Sequence, residues 1–133
     1  MAKRWEERIS DLNNAINRLE ESIEESKKLD LSTIKDGVIQ RFEFTIELMW
    51  KTLKMYLNNE GIEIASTPKS TIREGFRIGI IKNIDIWIEM LDDRNLTSHM
   101  YNQLITNGIH ERISEKYYEE LRKLYNILKD KEV

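Results

Sequence analysis

Apolar residues recur at steps of three and four along almost the whole of this chain, and a single proline among 133 residues leaves that period nearly uninterrupted. Side chains at this spacing line one face of an α-helix, which confines the chain to helical folds. In the first segment Trp5, Ile9, Leu12, Ile16, Leu19 and Ile23 form a narrow seam on an otherwise charged helix, predicted over about residues 3 to 28. Such a seam packs against one or two neighbours and needs no ligand to explain it. No alternating apolar–polar run marks a strand, and no internal repeat or low-complexity segment occurs.

Leu29 to Ile34 breaks the pattern, and Thr33 followed by Asp36 has capping-box spacing, which predicts a second long helix from about Ile34 to Asn59. Val38, Ile39, Phe42, Ile46, Met49, Trp50, Leu53 and Leu57 line one side of it, and Phe44, Leu48 and Met55 another. A helix apolar on two sides is buried between layers or lends its second side to a partner chain, and in a chain this small the partner is the expectation. Gly61 suits the left-handed residue that ends a helix, and Ile62 to Ser66 reads as a loop. Thr67-Pro68 reads as N-cap and first residue of a short helix to about Ile78, ended by Gly79. Asn83 or Asp85 starts a fourth helix bearing Ile84, Trp87, Ile88 and Leu91. A last helix is expected from about Asn102 to Lys129, with Ile105, Ile109, Ile113, Tyr117, Leu121, Leu124 and Leu128 inward. The expected fold is all-α: one domain over residues 1–133, an antiparallel up-and-down four-helix bundle with one short extra helix.

Apolar residues at 40% and charged residues at 34% suit a soluble helical protein with a real core. No apolar run approaches the roughly 20 residues that span a bilayer. Met1 to Glu7 lacks the apolar centre of a signal peptide, so a cytoplasmic location without membrane contact is the expectation. The absence of cysteine removes disulfides and thiolate metal sites. A formal charge of −3 with interspersed signs argues against a general nucleic-acid coat. It leaves room for a local basic cleft, since two facing protomers can pool their arginines, and any RNA affinity would be modest and concentrated at one place.

Only two histidines are available for proton transfer. One lies in Arg94-Asn95-Leu96-Thr97-Ser98-His99-Met100-Tyr101, where a guanidinium, an imidazole and a phenol fall within eight residues. Groups of these types hold a phosphate and move a proton beside it. The plainer alternative sets Arg94 on the C-terminal carbonyls of helix four, His99 in a polar connection and Tyr101 over the end of the bundle. On the second helix Glu43, Glu47, Lys51 and Lys54 form a polar ridge. It is either a solvated face with Glu47 and Lys51 paired, or it turns a carboxylate inward to orient Arg94 or His99. Trp50, Trp87 and Phe42 read as core rather than as a base-stacking platform. No carboxylate stands at ligand spacing to both His99 and His110, so no metal is expected. No glycine-rich phosphate loop or serine–histidine–aspartate arrangement appears, and no cofactor is expected.

Gln40 to Lys54, Thr67 to Phe76 and Trp87 to His99, in that order, resemble the signature of the nucleotidyltransferase substrate-binding protein family across nearly the whole chain. That family belongs to the wider HEPN group of helical bundles. It is similar to the helical half of kanamycin nucleotidyltransferase, with the catalytic half carried by a separate small protein. The resemblance implies a homodimer and a minimal nucleotidyltransferase as partner. It also implies a match between Arg94 to Tyr101 and the arginine, four residues, histidine, any residue, tyrosine pattern of HEPN toxins, which are metal-independent RNases. In such toxins the partner can silence the RNase by adenylylating the motif tyrosine, here Tyr101.

Two functions are compatible with these residues. In the first, the chain is a helical substrate- or nucleotide-binding subunit. Arg94 grips a phosphate or carboxylate, Glu43 and Glu47 orient it or meet a cationic acceptor, and Tyr101 stands beside it. In the alternative, an RNase toxin, Arg94 from both protomers stabilises charge on the scissile phosphate, His99 acts as base or acid, and Asn95 fixes the geometry. The acidic balance makes the first the preferred expectation, with the intact motif keeping the second close behind.

Overall fold

The structure, a computed structural model, describes residues 2–63 and 67–133, with residues 2 and 3 in backbone only. Helix α1 (Ala2–Lys28) and helix α2 (Ser32–Asn59) form a long hairpin. The predicted seam is the reason they pair: Trp5, Leu12, Ile16, Leu19 and Ile23 are all buried, and on α2 so are Val38, Ile39, Phe42, Ile46, Met49, Leu53 and Leu57. Burying such side chains stabilises by about 1.5–3 kcal/mol each, the main force holding the layers together.

The start of α2 corrects the capping-box expectation. The N-cap is Leu31, extended at φ −117 and ψ 136, and no side chain caps it. Leu31 O accepts from the amides of Ile34 and Lys35 instead. Thr33 already lies inside the helix, so its hydroxyl is past the position where capping occurs.

Gly61 ends α2 at φ 80 and Ile62 N closes onto Leu57 O, the left-handed stop anticipated there. Of the loop expected at 62–66, residues 64–66 lie outside the described residues. Helix α3 (Pro68–Arg77) opens on Thr67, whose side chain accepts from Ser70 N, with Pro68 in the first turn. Gly79, at φ 88, follows its end.

Helix α4 (Ile84–Asn95) buries Trp87, Met90, Leu91 and Asp93. Its N-cap is Asn83, which makes no capping bond and donates to Glu120 Oε2 at 3.0 Å. A 3-10 turn, Leu96–His99, continues it. The last helix is α5 (Gln103–Arg112), a π turn (Ile113–Tyr117) and α6 (Tyr118–Leu128) in succession. Its inner residues Ile105, Ile109, Ile113, Tyr117 and Leu121 recur at four consecutive steps of four. On an α-helix each such step drifts by about 40°. The wider π turn absorbs the drift and keeps Ile113, Tyr117 and Leu121 in the core.

The directions alternate. Trp5 Nε1 donates to Lys131 O, and Ser26 meets His110, so α1 and the last helix run antiparallel. Phe42 stacks on Tyr117 at 5.5 Å and Lys35 reaches Asn107, so α2 and the last helix run parallel. Asn83 to Glu120 and Asp93 to Arg112 set α4 antiparallel to the last helix. The result is the up-down-up-down bundle of four main helices, with α3 as the short extra one. Among the described residues no helix is long and apolar enough to cross a membrane.

Candidate functional site

The end of α4 and its 3-10 extension carry the motif. Thr97 Oγ1 donates to Arg94 O at 2.8 Å, so the helix end is capped from within the motif itself. The Arg94 guanidinium does not turn to the helix carbonyls; its Nη2 pairs with Glu47 Oε1 on α2. The two side chains are 34% and 29% exposed, which leaves the pair open to solvent on one side. Glu47 also meets Lys51 at 3.7 Å, so one carboxylate makes both contacts that the ridge on α2 offered as alternatives. Glu43, a turn earlier and half-buried, makes no bond to Arg94 or His99.

Asn95, Ser98 and His99 are exposed. His99 Nδ1 lies 3.4 Å from the Tyr101 hydroxyl, with the rings edge to face at 6.0 Å. Tyr101 is 86% exposed and covers no part of the bundle, against the plainer reading of it. Asn102 then caps α5, its Oδ1 accepting from Leu104 N and Ile105 N. Arginine, imidazole and phenol therefore sit at one end of the bundle, on a short rod held between two capped helices.

Beneath the motif is a group that the periodicity did not single out. Asp93 is buried, accepting from Arg112 Nε at 2.6 Å and Nη2 at 3.0 Å and from the Tyr117 hydroxyl. Bidentate charge-assisted bonds of this kind fix both distance and plane. Burial first, then the adjoining carboxylate, pushes the Tyr117 phenol far up, so it stays a neutral donor. The hydrogen bond to Asp93 holds Arg112 firmly charged. A signal was present: Asp93 falls three residues after Met90 and six after Trp87, on the arc of α4 that packs inward.

The second histidine is elsewhere. His110 Nε2 meets Ser26 Oγ at 2.9 Å, and burial, then Lys35, lowers its pKa below 6.5. Trp87 and Phe42 are core, as their spacing suggested. Trp50 is only half-buried, and its indole N–H has no partner among the described residues.

A four-helix bundle that displays an arginine, an imidazole and a phenol at one end, each on a braced support, is the class of protein this geometry defines. The chain matches the model of the family described as nucleotidyltransferase substrate binding protein like over residues 7–130, and it belongs to that family. It is similar to a Haemophilus influenzae protein named "Probable ribonuclease HepT", with 34% identity over 87 residues, 62% of this chain. That match spans 60% of the length of the curated relative. Among solved structures, a Thermus thermophilus protein superposes with a TM-score of 0.78 at 32% identity, over 88% of this chain and 98% of the other. A Haemophilus influenzae structure described as revealing the fold of a substrate binding domain of a nucleotidyltransferase superposes with a TM-score of 0.81 at 27% identity, over 92% and 99%.

Proposed function

We propose that this chain is the helical member of a two-component system with a minimal nucleotidyltransferase, and that its own chemistry is RNA cleavage at the Arg94–His99 end. The observation that carries this reading is the His99 ring on the same rod as a braced arginine. That ring is solvent-exposed and bonded, among the described residues, only to the hydroxyl of Tyr101 at 3.4 Å. A side chain whose role is structural would be packed or bonded into the bundle, as His110 is. The likeness to a protein named as a probable ribonuclease supports the same choice over a purely binding role.

In this mechanism the active form is a homodimer, with the two motif ends facing across one groove. His99 of one protomer takes the proton of a ribose 2′-hydroxyl, and the freed oxygen attacks the adjacent phosphorus. The 5′-oxygen leaves with a proton from the other His99, which gives a cyclic phosphate and a 5′-hydroxyl. Arg94 from each protomer neutralises the charge that builds on the non-bridging oxygens, and Asn95 orients the phosphate. Glu47 acts as a positioning residue, holding Arg94 at the groove until a phosphate competes for it. The nucleotidyltransferase silences the site through Tyr101: its hydroxyl oxygen attacks the α-phosphorus of ATP, pyrophosphate leaves, and the bulky adenylate then sits against His99.

The test compares wild type with His99→Ala on RNA in the presence of a chelator. Wild type cleaves, and His99→Ala loses about 10²- to 10⁴-fold in rate with an unchanged melting curve. No cleavage by either protein would leave a binding subunit instead, and equal cleavage by both would remove His99 from the chemistry. In that second reading Arg94, with Glu43 and Glu47 beside it, grips the nucleotidyltransferase's phosphate- or carboxylate-bearing substrate.

A further inference from the structure

The ion pair of Arg94 and Glu47 does not stand alone on α2. Lys51 meets the other oxygen of Glu47, and Lys51 in turn lines a cavity of about 600 Å³ between the start of α1 and the second half of α2. Arg4 and Arg8 from α1, and Trp50, Lys51 and Lys54 from α2, supply its walls. No aspartate or glutamate side chain lines it among the described residues, although acidic residues outnumber basic ones, 24 to 21, in the whole chain. Glu7 and Asp11 lie to the far side of the same arginines, in a separate hollow.

Two details give the cavity a chemical preference. Among the described residues, the buried side-chain nitrogens without a hydrogen-bond partner are Arg8 Nε and Trp50 Nε1. Both residues line this cavity, and both atoms are donors with no acceptor to meet. A buried donor left unmatched is costly, so a site that gathers two of them beside four cations is complementary to an acceptor-rich anion. Along α2, Lys51 is about 6 Å and Lys54 about 10 Å from Glu47 in helical rise, which places the cavity within a nucleotide or two of the Arg94 site.

We infer that this cleft binds the phosphates of the RNA strand flanking the bond that is cut, with Trp50 and Arg8 donating to phosphate or ribose oxygens. The proposal rests on the ribonuclease reading and extends it: Arg94 holds the reacting phosphate, and the α1–α2 cleft holds its neighbours. It also explains how a chain with net negative charge would capture RNA at all, through one cleft with no acidic side chain in its lining rather than an overall field.

The experiment measures fluorescence anisotropy of a labelled 12-nucleotide RNA with His99→Ala protein, which prevents cleavage, as the salt concentration is raised. Adding Arg4→Gln and Arg8→Gln to that background should weaken binding about tenfold and lower the salt slope by about two, one for each phosphate that is no longer neutralised. Lys54→Gln provides a third, independently folded variant with a slope lowered by about one. In the otherwise wild-type protein the arginine pair should slow cleavage of the 12-mer while leaving a dinucleotide substrate unaffected. Unchanged affinity and slope in the variants, with wild type still cleaving, would overturn the cleft and leave the ribonuclease reading intact. A wild-type protein that neither binds nor cleaves RNA would overturn both.

Discussion

Asp93 and Arg94 are adjacent in sequence and face different helices, one toward Arg112 and Tyr117, the other toward Glu47. Together they hold the end of α4 from two sides, and they differ in what their loss should do. Asp93→Asn leaves the Arg112 guanidinium without its buried anion and should cost about 3 kcal/mol, read as a fall in the urea midpoint at unchanged slope. Glu47→Gln breaks a half-exposed pair and should cost less than about 1 kcal/mol, yet slow RNA cleavage by about 10- to 100-fold because Arg94 loses its aim. A Glu47→Gln protein with wild-type rates would remove the positioning role. His110 sets a pH dependence of stability. Its pKa is lowered in the folded state, so below about pH 6.5 the unfolded chain takes up the proton first and stability falls until the folded pKa is passed. The melting temperature of wild type should therefore drop between about pH 7 and 5 more steeply than that of His110→Gln. Of these residues the local pattern showed Arg94, His99 and the choice open to Glu47. It did not show the Asp93 group, because a buried carboxylate is explained only by partners 19 and 24 residues away.

At the scale of elements, periodicity was legible, and so was the Thr67-Pro68 start of α3, whereas the start of α2 was not. Apolar spacing located the helices, because a buried face is written into the chain at every turn. The first residue of α2 follows instead a backbone-only cap at Leu31, which no capping side chain marks in the sequence. Glycines separate two cases within these helices. Gly37, inside α2, has open space where a Cβ would stand, so Gly37→Ala should stabilise by about 0.5–1 kcal/mol through helix propensity. Gly79 has equal space but φ +88, so Gly79→Ala should destabilise by about 1 kcal/mol. Paired thermal melts check the two signs at once. Loss of activity in Gly37→Ala without loss of stability would mean that this face of α2 meets another chain.

For the molecule as a whole, the question is how the displayed groups become one site. Phe44, Leu96 and Leu104 are 62%, 39% and 83% exposed. The second stripe on α2 is only partly free, however: Leu48 and Met55 pack against the core and Phe44 alone stands well out. If two copies share the groove, Arg94→Ala and His99→Ala are each inactive, while mixed dimers of the two regain part of the cleavage rate. Mixed dimers with no activity would place the whole site within one chain. The topology itself was readable because each connection is short and each helix has one dominant face. The π turn, finally, has a bearing on descent. On one side of its end Arg112 and Tyr117 bond Asp93 of α4, and on the other Tyr118 and Arg122 bond Glu20 and Asn17 of α1. A residue gained or lost between these would rotate the entire C-terminal half away from its mates. Relatives should therefore tolerate insertions near residue 62 and forbid them between 112 and 118, a boundary that an evolutionary record of lengths alone would reveal.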